Sequence, residues 1–364
     1  MSNSIQEHTM QLSIITINYN NAEGLRKTLA SVAAQTYPNI EHIIVDGGST
    51  DGSVEVIEAY ASGVACTASG CGIKDPVSAA DAAANSQPAK GAQLREATQP
   101  ANGTLPAHSA HHQILWVSEK DKGIYNAMNK GIEIALGRRV VSENHTSELY
   151  SNDFQHSTFD IQQKSDYIQI LNSGDILAAP DVTERMFSSL KETLPFREGY
   201  GVGLLYGNMI KVNAAGKVVG KSGYTEYSLR QFYRSTLNHD CAYIRKDLFE
   251  EYGLYDENLK IVSDWKWYLQ AIGLGRVKPK YVDIDVTIFD DGGISETQLD
   301  KRYAERRQVL EELLPPAILW DYDTHAFEME QMNRLRRWKL YPLVYFMERV
   351  CFKLEKWGNK LKRN

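Results

Sequence analysis

Three aspartates follow apolar, strand-forming runs, each at the point where the chain turns to glycine and polar residues. They are Asp46 in VDGGSTDGS, Asp121 in SEKDKGIYNAMNKG and Asp175 in LNSGD. One such aspartate is ordinary turn or helix-capping chemistry, but three in successive units indicate a shared site. Carboxylates there can accept hydrogen bonds from a ribose or a base, and Asp175 is a hard oxygen ligand of the kind that Mg²⁺ or Mn²⁺ accepts beside phosphate oxygens. The pattern predicts a site for a nucleoside diphosphate.

The elements that must position these aspartates alternate between strand and helix. LSIITINYN (12–20) and IEHIIVDGGSTDGS (40–53) predict strands, and each is followed by apolar residues at helical spacing. QILWVSEKD (113–121) and GIYNAMNKGIEIALG (123–137) repeat this order, and Gly137 closes the helix. Such an order predicts a parallel βαβ sheet, whose strand carboxyl ends meet at the edge where open α/β sheets bind ligands.

Further patterns extend this sheet and interrupt it. DYIQILNSGDIL (166–177) predicts a fourth strand, and GLLYGNMIKV (203–212) with KVVGK (217–221) predicts a hairpin. Residues 61–112 and about 138–163 are polar and predict surface insertions. The glycines of DGGSTDG do not follow the G-x-G-x-x-G order, which disfavours a nicotinamide enzyme.

Composition narrows the class of protein. The 364 residues are 43% hydrophobic and 24% charged, which is typical of a soluble globular protein. The first residues lack a signal-peptide pattern, and the apolar run LYPLVYFM (340–347) is too short to span a bilayer. Four scattered cysteines (Cys66, Cys71, Cys241 and Cys351) form neither a disulfide framework nor a zinc site. We therefore expect a protein of the reducing cytoplasm, and with a net charge of -6 no nucleic-acid partner.

Several of these segments together resemble the nucleotide-sugar half of glycosyltransferase family 2. They are SIITINYNNAEGLRKTLASVAAQTYPNIEHIIVDGGSTDGS, EKDKGIYNAMNKG and LNSGD, and the resemblance covers about residues 11–300 apart from the insertions. It implies a GT-A fold, an α/β architecture with a mainly parallel, Rossmann-like sheet flanked by helices. Residues 1–300 would form this domain and residues 301–364 a C-terminal helical extension.

The resemblance also implies a reaction and its residues. Family members invert the anomeric centre and use a sugar nucleotide with a divalent cation, either Mn²⁺ or Mg²⁺. Asp175 would bind the metal, with His239 as a further candidate ligand, although Ser173 stands where the family commonly has a second acid. The contacts to nucleotide and donor sugar would come from Asn18, Tyr19, Asp46, Gly47, Ser49, Asp121, Gly123, Asn126 and Asn129.

Asp264 matches the family's catalytic base. It lies in LNHDCAYIRKDLFEEYGLYDENLKIVSDWKWYL (237–269), which resembles the acceptor-side segment. Direct displacement at the anomeric carbon requires a group that takes the proton of the acceptor hydroxyl, and a carboxylate can do this. The alternative is an N-cap on the following helix.

Other acceptor-side residues leave two interpretations open. Trp265 and Trp267 could offer a sugar-stacking face or pack in the core, and His239 could equally be a core histidine. FDDGGIS (289–295) resembles a closing loop in which Gly292 and Gly293 permit folding over the donor, and a plain turn is the alternative.

The C-terminus predicts a different kind of surface. Residues 331–364 hold ten Lys or Arg and two Glu, a net of +8, which leaves -14 for the first 330 residues. An apolar stripe is formed by Leu343, Met347, Val350, Leu354, Trp357 and Leu361, with positive charge around it from Arg349, Lys353, Lys356, Lys360 and Lys362. Such a basic amphipathic helix can lie on an anionic bilayer, or it can pack on the catalytic domain or a second subunit.

The predicted function is inverting transfer of a sugar, from a UDP-sugar, to a hydroxyl of a glycan or polyprenyl-linked acceptor. Polysaccharide or cell-envelope biosynthesis at the inner face of the membrane would suit the basic tail. One alternative is a nucleotidyltransferase, but NYNNAEGLRK offers a single glycine where that class has a glycine-rich basic loop. The other is a glycan-binding scaffold without catalysis, which Ser173 would favour.

Overall fold

The computed structural model describes residues 10–63, 112–142, 145–149, 165–191, 202–213, 216–223, 227–290 and 298–361. Most of the two predicted insertions lie outside the described residues, as do Gly292 and Gly293 of the predicted closing loop.

The strands follow the predicted order. They are β1 (Leu12–Asn18), β2 (Ile40–Asp46), β3 (Gln113–Ser118), β4 (Arg139–Val141), β5 (Ser147–Leu149), β6 (Tyr167–Asn172), β7 (Ile176–Leu177), β8 (Leu204–Val212), β9 (Val218–Ser222), β10 (Ala242–Arg245) and β11 (Lys280–Asp290). The pairing of β8 with β9 confirms the predicted hairpin.

Helices fill several connections between these strands and follow the last strand. They are α1 (Ala22–Ala33), α2 (Ser53–Ala61), α3 (Ile124–Ala135), α4 (Val182–Lys191), α5 (Leu229–Arg234), α6 (Asp247–Tyr252), α7 (Ser263–Tyr268), α8 (Leu299–Leu313), α9 (Pro316–Arg336) and α10 (Tyr341–Leu361). A 3₁₀ turn, His239–Cys241, precedes β10, and α7 continues into a π-helical segment, Leu269–Leu274.

One sheet contains nine of these strands. Its strand order is β3-β2-β1-β6-β10-β8-β11-β7, with β9 beside β8. The first four strands are mutually parallel, which confirms the α/β architecture that the sequence predicts. Beyond them the sheet is mixed, because β10 runs antiparallel to both β6 and β8.

This topology brings polar residues from distant segments to one edge. In the parallel half, Asn18 lies opposite Asp46, and Asp46 lies opposite Ser118. Asn172 follows on β6, where it pairs with Ile17. Because β10 is antiparallel to β6, its start at His239–Cys241 lies at the same edge as the end of β6.

The parallel strands are held by burial on both faces. Every residue of β1 and β2 is buried, and apolar side chains of α1 and α2 pack against them with Ile44 and Trp116. Each fully buried aliphatic side chain contributes roughly 1.5–3 kcal/mol, so this half is a rigid base for the loops at its edge.

The chain divides into two compact units, Met1–Arg306 and Arg307–Asn364. The second unit contains the end of α8 together with α9 and α10. Within the part of the chain that the structure describes, no helix has both the length and the apolar character needed to cross a bilayer.

Candidate active site

Asp46 holds three strand ends together. Its buried carboxylate accepts hydrogen bonds at Oδ1 from Asn18 Nδ2 (2.8 Å) and Ser49 Oγ (2.6 Å). Its Oδ2 accepts from Gly48 N (3.1 Å), Ser49 N (2.9 Å) and Ser118 Oγ (2.8 Å). These five hydrogen bonds fix the loops that surround the predicted nucleotide site. Asn18 and Ser49 take part in them as donors to Asp46.

Tyr19, Gly47 and Asp121 converge beside this network. A Cβ on Gly47 would lie 2.5 Å from Asp121 Oδ2 and 3.1 Å from the Tyr19 ring, so only glycine allows this close approach. Asp121 Oδ1 accepts a hydrogen bond from Gly123 N at 2.9 Å. The Tyr19 side chain is 65% exposed, which leaves an aromatic face open to a ligand.

Asn126 and Asn129 reach a different part of the chain. Both amides donate to the carboxylate of Glu257, at 2.9 and 3.0 Å, and the Asn129 side chain also exchanges two hydrogen bonds with the backbone of Tyr255. In this structure the two asparagines therefore tie α3 to the acceptor-side segment, so they position that segment for the site.

The NSGD loop is anchored by α1. Asn21 Nδ2 donates to the carbonyl of Ser173 at 3.0 Å, and Gly174 N donates to Thr28 Oγ1 at 2.9 Å. Thr28 Oγ1 in turn donates to the carbonyl of Asp175 at 2.8 Å. Gly174 has φ +110°, a conformation that favours glycine, and the chain then turns Asp175 to a buried position at the strand ends.

A hydrogen-bonded chain links the predicted base to this edge of the sheet. The Tyr125 hydroxyl donates to Asp264 Oδ1 at 2.9 Å, and His239 Nδ1 lies 3.2 Å from Asp264 Oδ2. His239 Nε2 lies 3.0 Å from Asn172 Nδ2 at the end of β6. The side chains of His239 and Asp264 are 19% and 13% exposed, so the pair is sheltered but open to a ligand.

Charge accounts for the protonation of this pair. Burial lowers the pKa of His239, but the hydrogen bond and charge of Asp264, with Asp240 and Asp175 nearby, raise that pKa to about 9. Burial alone would raise the pKa of Asp264, and the contacts with His239 and Tyr125 outweigh it and hold that pKa below its ordinary value. At neutral pH the pair is a carboxylate beside an imidazolium.

An imidazolium donates from both nitrogens, and this bears on Asn172. In the orientation shown, Asn172 Oδ1 is buried without a hydrogen-bond partner while Nδ2 faces His239. A half-turn of the amide would present Oδ1 to the Nε2 proton and satisfy both groups. To ligate a metal, as the sequence suggests, His239 would have to give up that proton.

The donor set for a metal is small. Among the described residues, no three His, Cys, Asp or Glu side chains are grouped so as to hold an ion. Asp175 and the nearby Ser173 fit only a cation that takes most of its ligands from a diphosphate and water, as Mg²⁺ and Mn²⁺ commonly do.

The tryptophan prediction is corrected by the structure. Trp265 is 2% exposed, its Nε1 donates to the Phe232 carbonyl at 2.9 Å, and the Arg306 guanidinium lies 4.4 Å from its ring centre. Trp267 is also buried and donates to the carbonyl of Gly253. Both rings lie in the core because α7 packs inward, so Trp265 presents no face to an acceptor sugar.

Two residues of the site carry no sequence signal of their own. Tyr125 stands in the first turn of α3, and its contact with Asp264 depends on the tertiary fold. Glu305 of α8 accepts hydrogen bonds from Lys260 N and Ile261 N, at 3.0 and 2.9 Å, just before the helix that carries Asp264. Glu305 thereby fixes the approach to α7.

Comparisons with known proteins relate this chain to glycosyltransferases. Residues 13–73 match the model of glycosyl transferase family 2. An uncharacterised glycosyltransferase of Mycobacterium tuberculosis is 26% identical over 266 residues, 71% of this chain and 68% of the relative. A PGL/p-HBAD biosynthesis glycosyltransferase of Mycobacterium bovis is 20% identical over 295 residues, 81% of this chain and 82% of that protein.

Among solved structures, TarS 1-349 of S. aureus in complex with UDP has a TM-score of 0.47 and 14% identity, covering 87% of this chain and 74% of its own. The chain is thus similar to glycosyltransferases, and its residues 13–73 match the model of family 2.

Proposed function

We propose that the protein transfers a sugar from a nucleoside-diphosphate sugar to an acceptor hydroxyl with inversion of the anomeric centre, and that Asp264 is its catalytic base. The observation that carries the proposal is the chain from Asp264 through His239 to Asn172. It joins the residue that would take the proton to the strand end where the diphosphate would lie.

In this reaction the acceptor oxygen attacks the anomeric carbon while its proton passes to an Asp264 oxygen. The bond from that carbon to the diphosphate oxygen breaks on the opposite face, and the nucleoside diphosphate leaves. Asp264 is suited to the role because Tyr125 and His239 fix its two oxygens. A fixed carboxylate needs little reorganisation during proton transfer.

The donor side of the proposal rests on the residues around Gly47. Tyr19 offers an exposed ring and Asp121 a carboxylate oxygen, side by side, for the base or ribose of a UDP-sugar. A divalent cation held by Asp175 would supply charge stabilisation for the departing diphosphate. The His239 cation beside Asp264 is a second positive group at the same edge.

The acceptor we propose is a glycan or polyprenyl-linked glycan of cell-envelope or polysaccharide biosynthesis. One relative is named for the biosynthesis of PGL and p-HBAD. A lipid-linked acceptor would place the enzyme as a peripheral protein at the inner face of the cell membrane, and the basic C-terminal segment supports that position.

Calorimetric titration of UDP, GDP and dTDP, with and without Mn²⁺, tests the nucleotide site. We expect metal-dependent binding of UDP by the wild type and its loss in Asp175→Ala. Asp181→Ala is the matched control, because the Asp181 side chain is 52% exposed and pairs with Arg185. If the folded protein binds none of the three nucleotides, the transferase proposal fails and a non-catalytic scaffold becomes the better account.

A further inference from the structure

The last helix of the chain is unusual because its apolar side chains face solvent. Of the α10 side chains that the structure describes, through Trp357, Tyr341 is half-buried and all others are exposed. Phe346 is 64% exposed, Leu354 60% and Trp357 65%. Most of the stability of a helix in a protein comes from packing of its apolar face, so α10 requires a surface to cover it.

Six apolar residues of α10 lie on one side of the helix. We call this side the apolar arc, and it consists of Leu343, Phe346, Met347, Val350, Leu354 and Trp357. Their spacing of three and four residues places them in one strip along the helix. Trp338, just before the helix, is also 58% exposed, so aromatic rings stand near both ends of the strip.

Positive charge follows one edge of this arc. Arg349, Lys353 and Lys356 are exposed and repeat at the same helical spacing, while Glu348 and Glu355 lie on the side of the helix away from the arc. Ten Lys or Arg against two Glu over residues 331–364 give the segment a net of +8. Since the first 330 residues sum to -14, this segment is the part of the protein that an anionic surface attracts.

We infer that α10 docks in the plane of an anionic lipid bilayer, with the apolar arc among the acyl chains and the basic edge at the headgroups. Two observations favour a bilayer: continuous apolar exposure on a helix that cannot span, and a strongly basic border. The role of this docking, which is to hold the enzyme beside a lipid-linked acceptor, rests on the proposed function. The docking itself does not.

The helix itself offers a matched pair for the test. Phe346 lies in the apolar arc and Phe352 on the opposite side, and both are 64% exposed. Full-length protein is floated with vesicles of phosphatidylcholine containing about a third phosphatidylglycerol, a mixture that models an anionic leaflet. We expect binding that Phe346→Ser weakens about tenfold, since a buried Phe is worth roughly that factor, and that Phe352→Ser leaves unchanged.

Charge is tested in a second arm. Neutralising Arg349, Lys353 and Lys356 to Gln should weaken vesicle binding by about fivefold for each charge removed. The same substitution of Lys27, Arg276 and Lys278, three exposed residues of the other unit, should change it little. Binding should fall on vesicles of phosphatidylcholine alone and in high salt.

Several outcomes would overturn the inference. They are no vesicle binding, equal effects of the two Phe variants, or equal binding to neutral and anionic vesicles. A concentration-dependent dimer that Phe346→Ser abolishes without any vesicle binding would assign the arc to a second copy of the chain. The melting temperature of the same variants reports folding. The vesicle result is separate from the proposed function, because a wild type that binds no UDP can still bind vesicles.

Discussion

Two histidines show how differently the two parts of the sheet use the same side chain. His42, in the middle of β2, is fully buried between the hydroxyls of Thr16 (2.9 Å) and Tyr60 (3.0 Å). Burial, with a smaller effect of His112, lowers its pKa to about 3. His239, at the sheet edge, has carboxylates around it and a pKa raised to about 9.

The partners decide this difference. Hydroxyls satisfy a neutral imidazole, so the network around His42 is closed and serves stability. Carboxylates stabilise an imidazolium, so the network around His239 holds opposite charges in a partly open cleft, where an incoming ligand can interact with them. The parallel half of the sheet is thus a scaffold, and the edge where β6 and β10 meet carries the proposed chemistry.

Among the substitutions that test the difference between scaffold and reactive edge, Asp264→Asn should have the largest effect. The variant keeps the shape of the side chain but removes the base, so kcat for sugar transfer should fall by about 10²- to 10⁴-fold while the nucleotide Kd stays within about twofold. Asp247→Asn is the control, since Asp247 is 49% exposed and pairs with Arg245. Transfer kinetics and UDP titration measure the two effects, and an equal loss of nucleotide affinity would contradict a role confined to the base.

His42→Gln tests whether the parallel half of the sheet serves stability. His42 is neutral when folded and gains a proton on unfolding below its ordinary pKa of 6.5, so its contribution to stability is present above that pH. That contribution is lost as the pH falls from 6.5 toward about 3. The variant should lose about 1–3 kcal/mol of unfolding free energy at pH 7 and show a shallower decline in acid, measured by urea unfolding across pH.

The contribution of His239 to stability should depend on pH in the opposite direction, and His239→Gln tests this. Because the pKa of His239 is raised to about 9, its contribution is complete below pH 6.5 and is lost as the pH rises through about 9. In metal-free protein the substitution should therefore change the alkaline side of the stability profile. Identical pH profiles for the two variants would contradict the contrast between the two histidines.

Local sequence patterns were enough to predict the scaffold. The run 12–20 contains β1, which ends at Asn18, and 123–137 contains α3, Ile124–Ala135. Continuous apolar runs of β-branched residues and helical spacing are short-range signals that burial on both faces of the sheet preserves. The C-terminal helix was predicted from the same kind of periodicity.

The contacts that assemble the site were not predictable in this way. Tyr125 and Asp264 are 139 residues apart, and Asn172 and His239 are 67 apart. The second contact depends on the antiparallel insertion of β10 between β6 and β8, which leaves no periodic signal in the sequence. Trp265 shows the same limit, because its alternation with Trp267 fits an exposed face and a buried one equally well.

Tyr125→Phe tests how Asp264 is positioned at the edge of the sheet. Burial and the charge of Asp264 raise the pKa of Tyr125 well above its ordinary value, so its hydroxyl is a proton donor that holds Asp264 in place. Without it, Asp264 keeps only the His239 contact among its side-chain partners in the structure described. We expect kcat to fall about tenfold with KM for the donor unchanged, the loss of about one positioning hydrogen bond.

Tyr281→Phe is the control for that experiment, since the Tyr281 hydroxyl donates to Asn208 Oδ1 at 2.8 Å in a separate surface cluster. A fall in melting temperature that accounts for the lost activity of Tyr125→Phe would show that the hydroxyl serves the fold alone.

Gly47→Ala adds one methyl group at the strand ends and tests whether Asp121 contacts the nucleotide. Gly47 has no positive φ, so alanine fits its backbone, but the added Cβ would lie 2.5 Å from Asp121 Oδ2 and displace that carboxylate. Gly220→Ala is the matched control, because its Cβ would meet Lys211 at an ordinary 3.9 Å. UDP titration should show a Kd raised about fivefold for Gly47→Ala, the equivalent of a weakened hydrogen bond, and unchanged for the control. An unchanged Kd in Gly47→Ala would mean that Asp121 does not contact the nucleotide, and the donor site would then have to lie nearer to the NSGD loop.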